Sequence, residues 1–216
     1  MSWAEIKHAV NNTIGSANSK ALNVITEDQK NELEYRITET LMLLLGNGNN
    51  YVSIANGEGG YITTSDFTGN TTVKKIIISN SVFEIDMDAF SGCSALESVS
   101  IPNSVKEIGN GAFALCVNLQ KVELPFGLKT IANQLFDSCT SLSYVHIPET
   151  VEEIESGAFS NCENLTKIRI PKSVTSIESD AFSGCDYLED IYVGFSSGAV
   201  SGAPWGATNA TIHYNS

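Results

Sequence analysis

The sequence predicts a solenoid: one short parallel β-strand per 23-residue repeat, joined by turns or 3₁₀ segments and preceded by a small α-helical region. Two apolar patterns carry this expectation. Phe90, Phe113, Phe136, Phe159 and Phe182 form a column at that period, followed at fixed offset by Cys93, Cys116, Cys139, Cys162 and Cys185 and then by Leu96, Leu119, Leu142, Leu165 and Leu188. Alternating strand letters come next, Val99/Ile101, Val122/Leu124, Val145/Ile147, Ile168/Ile170 and Ile191/Val193, with Pro102, Pro125, Pro148 and Pro171 closing four of them. One such unit cannot bury its own apolar edge, whereas stacked units share a continuous core, so fixed-period self-similarity signals a repeat architecture.

The elements follow in order. Residues 1–50 read as a helical attachment or capping region and linker. Ser2-x-x-Glu5 is a capping box opening a helix from Trp3 to about Thr13, and Thr26-x-x-Gln29 opens a longer one with the stripe Leu33, Ile37, Leu41, Leu44 and a stop at Gly46. The apolar run Leu41 to Leu45 is wider than an exposed helix tolerates, so it either covers the open end of the solenoid or meets other copies of the chain. Residues 51–72, with Gly57, Gly59 and Gly60, are expected to form a short β cap. Repeats occupy 73–198, opening on a partial unit with Val73, Ile76, Ile78, Val82 and Ile85. Residues 199–216 form a degenerate capping repeat: Trp205 falls in the phenylalanine column, and Ile212 and Tyr214 make a last strand if two residues are missing.

Within a repeat, strand alternation turns Val99 and Ile101 inward and Ser98 and Ser100 outward. Val105 and Ile108 point inward from a second extended segment, and the three-residue spacing of Phe113, Cys116 and Leu119 suits tight turns. All five cysteines share one inward column and none forms a Cys-x-x-Cys pair, which marks them as small buried side chains.

The pattern L-x-x-I-x-I-P-x-S-V-x-x-I-x-x-x-A-F-x-x-C resembles the BspA-like, Treponema-type class of leucine-rich repeat. That resemblance implies a leucine-rich-repeat solenoid, no enzymatic activity, and protein or cell-surface binding of the kind associated with adhesion. The opening Trp3-Ala4-Glu5-Ile6-Lys7 through Gly15 resembles the start of tail or virion-associated proteins of phages infecting Firmicutes.

Composition narrows the function classes. A net charge of −13 disfavours nucleic acid and anionic membrane surfaces, which attract Lys and Arg. No apolar run is long enough to span a bilayer, so membrane insertion is not expected. The first residues lack a basic flank followed by an apolar core, so no export signal is expected either. His8, His146 and His213 lie in separate segments outside any catalytic motif, and no phosphate-cradling loop, zinc spacing or complete calcium loop occurs; Asp86-x-Asp88 lacks further ligands. Neither a cofactor nor a metal is expected.

Function is therefore sought in the letters that do not repeat. One outward strand column reads Ser100, Glu123, His146, Arg169, Tyr192, and its neighbour reads Lys75, Ser98, Lys121, Tyr144, Lys167, Asp190; cations outnumber carboxylates there in a strongly acidic chain. The candidate ligand face is Lys121, Glu123, Tyr144, His146, Lys167, Arg169, Asp190 and Tyr192, rich in the Tyr and Arg that anchor interfaces. The expectation is a non-enzymatic binding or adhesion module with a protein or cell-surface ligand, set on a virion as a tail-fibre or receptor-binding part. The alternatives are a purely structural spacer that assembles through its N-terminal helices as a homo-oligomer, and a bacterial surface adhesin lacking its export signal. The expected location is the virion or extracellular surface, with the cytoplasm as the alternative.

Overall fold

The computed structural model describes residues 51–54, 60–63 and 67–215; the helices expected within 1–50 lie outside these residues. The described chain winds as a parallel β-solenoid of about seven turns. Its longer strands are β1 (Tyr51–Ile54), β3 (Lys75–Ile78), β5 (Ser98–Ser100), β7 (Lys121–Glu123), β9 (Tyr144–His146), β11 (Lys167–Ile170), β13 (Asp190–Val193) and β14 (Thr211–Tyr214). A second row holds the two-residue strands β2 (Tyr61–Ile62), β4 (Glu84–Ile85), β6 (Glu107–Ile108), β8 (Thr130–Ile131), β10 (Glu153–Ile154) and β12 (Ser176–Ile177).

Pairing is parallel and keeps the sequence period, as in Lys75↔Ser98, Ser98↔Lys121 and Lys121↔Tyr144. The segment ahead of the array joins the same ladders: Tyr51 pairs with Lys75 and Ile62 with Ile85, and the Phe67 ring lies tilted against Phe90 at 5.4 Å. At the other end Asp190 pairs with Thr211, a shift of 21 residues, as the two missing residues require. There Trp205 is fully buried, and its carbonyl accepts the Phe182 N–H at 2.9 Å.

The core consists of the repeated letters. Every Phe, Cys and Leu of the three columns is buried, as are the inward strand residues apart from the partly buried Ile101 and Ile212. Phenylalanine rings stack along the coil within 18° of parallel from Phe90 to Phe182. The segments between them are tight turns closed by bonds such as Cys93 N–H to Phe90 O and Leu96 N–H to Cys93 O.

The cysteines do more than fill space. Each thiol donates to the carbonyl of the phenylalanine one turn earlier: Cys93 to Phe67, Cys116 to Phe90, Cys139 to Phe113, Cys162 to Phe136 and Cys185 to Phe159, at 3.0–3.3 Å. From Phe90 to Phe159 the same carbonyl also takes the N–H of its own turn's cysteine, so both lone pairs are used. A methyl group at that position would fill most of the volume and leave one acceptor site empty.

The outward columns do not run over one continuous sheet, because the longer row parts between β9 and β11 and the shorter row between β6 and β8. Each break falls at one of the two widest steps of the phenylalanine stack. These steps are Phe113–Phe136 at 5.8 Å and Phe136–Phe159 at 5.6 Å, against 5.1–5.4 Å elsewhere. Hydrogen-bonded strands want about 4.7–4.9 Å, so both wide steps strain the ladders: the shorter row opens at the first and the longer row at the second, while β7–β9 and β8–β10 stay paired. Both wide steps flank the turn in which buried Leu135 replaces the alanine found at 89, 112, 158 and 181.

Candidate binding face

The eight candidate residues occupy the outward positions of β7, β9, β11 and β13. Lys121 faces Tyr144 and Glu123 faces His146 across one ladder, while Lys167 faces Asp190 and Arg169 faces Tyr192 across another. Side-chain alternation puts Val122, Val145, Ile168 and Ile191 into the core, and so their neighbours must point outward.

Between the two ladders, the split in the sheet forms a groove of about 1290 Å³. Tyr144 and His146 line it from β9, Lys167 and Arg169 from β11, and Tyr192 from β13. Lys121 and Glu123 instead line a smaller depression of about 500 Å³ on the β9 side, shared with Tyr144. Asp190 lines neither; its carboxylate is held by His213 Nε2 at 2.6 Å. The structure thus gathers five of the eight residues around one opening.

The opening is local. On the turn side the coil stays closed past it, with Phe136 N–H bonded to Ala158 O and Phe159 N–H to Ala181 O, both at 2.9 Å. At the strand entry the pattern differs. Glu97 N–H bonds Lys74 O, Gln120 N–H bonds Glu97 O, Ser143 N–H bonds Gln120 O and Glu189 N–H bonds Thr166 O. Between β9 and β11 the corresponding bond from Thr166 N–H to Ser143 O is missing.

Three contributors escaped the sequence reading. Phe126, 61% exposed, and Lys172 reach the groove from the turns after two strands, where Asn103 and Glu149 stand in other repeats. The signal was present, since this column varies from turn to turn. His213 stacks on Tyr192 at 4.5 Å and continues the Arg169–Tyr192 column onto β14. Applying the two-residue deletion to the histidine would have placed it there.

Among the described residues, no group of three His, Cys, Asp or Glu side chains could hold a metal ion, and no helix is long and apolar enough to cross a membrane. Asp86 and Asp88 serve turns: Asp86 Oδ1 accepts the Met87 N–H, and Asp88 adopts φ 53°.

The family described as BspA type leucine-rich repeat region matches residues 60–189 in six copies. The chain belongs to this family. Repeat proteins of this kind are generally protein-binding or surface modules and are typically non-enzymatic. The BspA-type chain is similar to the leucine-rich repeat protein of T. pallidum, at 31% identity and a TM-score of 0.66, covering 77% of this chain and 80% of that one. It is also similar to a leucine-rich cell surface protein of Faecalibacterium prausnitzii (28% identity, TM-score 0.52, 69% of this chain and 48% of that one). A leucine-rich repeat protein of Bacteroides ovatus matches at 26% identity with a TM-score of 0.53, over 76% of this chain and 50% of that one. The chain therefore spans about half the length of the latter two. No curated protein matches.

Proposed function

We propose that this BspA-type chain is a non-enzymatic protein-binding module whose partner seats in the groove between β9 and β11. The observation that carries the reading is the convergence of Tyr144, His146, Lys167, Arg169 and Tyr192 on the opening in the longer strand row. Tyr144 and Tyr192 are 47% and 39% exposed, which leaves rigid aromatic surface free for a partner to cover. The likeness to a cell surface protein supports a partner met outside the cell.

A random peptide library displayed on particles and selected against the chain tests this. Changing Tyr144, His146 and Arg169 together to Ala is expected to weaken the selected peptides by about 2 kcal/mol or more, the cost of losing interface anchors, with thermal unfolding nearly unchanged. Selected peptides that bind the triple variant equally well would sink the proposal.

The finer setting, a virion rather than a bacterial surface, rests on the opening segment Trp3 to Gly15, which lies outside the described residues. Immunogold labelling of particles from a lysed producing culture distinguishes the settings: gold on phage tails supports the virion, gold on intact cells the surface adhesin.

A further inference from the structure

We infer that the groove between β9 and β11 takes an extended acidic peptide segment of the partner protein, and this rests on reading the groove as the binding site. The charges around it are unbalanced. Lys167, Arg169 and Lys172 line the opening against the single carboxylate of Glu149, in a chain whose net charge is −13.

These cations are also unclaimed. Elsewhere Lys74 is held by Glu97 at 3.0 Å, Lys129 is held by Glu152, and the Lys106 ammonium donates to the carbonyls of Asn103 and Phe126 at 2.8 and 3.2 Å. Among the described residues, Lys75, Lys121, Lys167, Arg169 and Lys172 have no such partner, and all lie on the longer strands or the turn that follows one. A partner carboxylate meeting Lys167 and Arg169 would face no competing ion pair from within the chain. The Asp190 carboxylate, the nearest source of repulsion on β13, is occupied by His213.

Size and backbone argue for a chain segment. Small-molecule sites run to about 300–1,000 Å³, and the groove, at about 1290 Å³, is larger and open. The missing strand-entry bond leaves one donor, Thr166 N–H, and one acceptor, Ser143 O, at the break. An extended peptide offers both complements in each residue. Tyr144 and Tyr192 would then flank the acidic side chains with aromatic surface.

The test is fluorescence polarisation with a short labelled peptide alternating Glu and Tyr, beside its Lys-for-Glu counterpart and a sulfated polysaccharide as competitor. The Glu/Tyr peptide is expected to bind, to weaken with added salt, and to lose about tenfold or more on Lys167→Glu/Arg169→Glu. Lys75→Glu, which changes charge on the same strand column outside the groove, is expected to leave binding within about twofold. Absence of binding, equal binding by the double variant, an equal loss with Lys75→Glu, preference for the Lys/Tyr peptide, or displacement only by the polysaccharide would each overturn the inference. Library-selected peptides that need Tyr144 and Arg169 but carry no acidic excess would overturn the acidic class and leave the groove standing. Peptides indifferent to every groove residue would remove both.

Discussion

The turn side and the strand side of this coil respond differently to the same 23-residue period. On the turn side, ring stacking, the thiol-to-carbonyl bonds and the bonds from each phenylalanine N–H to the next turn continue without a gap from Phe90 to Cys185. On the strand side the ladder opens at β9/β11, and the unrepeated side chains gather there. The lesson is mechanical: buried columns hold the turns together closely enough that the exposed sheet can part locally without the coil coming apart.

The strongest way to break this comparison is to damage the turn side. Phe136→Ala is expected to cost about 3–5 kcal/mol, the usual range for truncating a buried aromatic ring, measured by urea unfolding. Each single Ala change at Tyr144, His146 or Arg169 should stay within about 0.5 kcal/mol, as exposed substitutions do. If Phe136→Ala unfolded no more easily than those, the two sides would not differ.

Leu135→Ala sharpens the comparison by testing what opens the sheet. It restores the column's alanine, so the turns around Phe136 should draw together and the loss should fall below the about 2–5 kcal/mol of an ordinary buried Leu→Ala. Hydrogen exchange at Thr166 is the decisive readout, because closure of the groove would protect its amide. Unchanged exchange there would show that Leu135 is not the wedge.

A third measurement concerns the thiols. Burial pushes the Cys185 thiol up from its ordinary 9.0 to about 11, and Cys162 also lies well above that ordinary value for the same reason. The Cys185 thiol keeps its proton in both states below pH 9.0, and between there and about 11 the unfolded chain ionises first. Folding stability should therefore be intact below that window and fall as pH rises through it. Cys185→Ala should flatten the fall seen by urea unfolding across that interval, and an unaltered slope would contradict the assignment.

The smallest effect lies on the surface of the turn side. Leu115 is 50% exposed and holds φ at 61°, a position where Gly92 and Gly184 stand in other repeats. Leu115→Gly should raise stability by about 0.5–1 kcal/mol, since left-handed strain of about 1–2 kcal/mol is released against the greater freedom of an unfolded glycine. Thermal unfolding would show an upward shift; a downward one would mean that Leu115 contributes packing across turns.

Much of the fold was legible because burial is repetitive. A side chain that must touch its equivalents above and below recurs at each turn, so Phe, Cys and Leu columns identify the core, and alternation assigns Tyr144, His146 and Arg169 to the outside. The candidate face was legible only as a list of exposed letters. That Asp190 is claimed by His213, that Lys121 and Glu123 belong to a separate depression, and that Phe126 and Lys172 border the groove all depend on where neighbouring turns come to rest.

The sequence by itself determined the period, the inward columns and the register of the strands within the array, including the shortened last step, because each follows from which letters recur; the 24-residue step from β1 to β3 it did not give. Only the tertiary structure decided that the thiols bond to carbonyls a turn away and that the sheet parts beside Tyr144. The thiol bonds need each turn seated within reach of the one before, and the break goes with differences of a few tenths of an ångström, such as 5.6 Å against 5.1 Å in the phenylalanine stack; spacing between turns is not written in any single repeat.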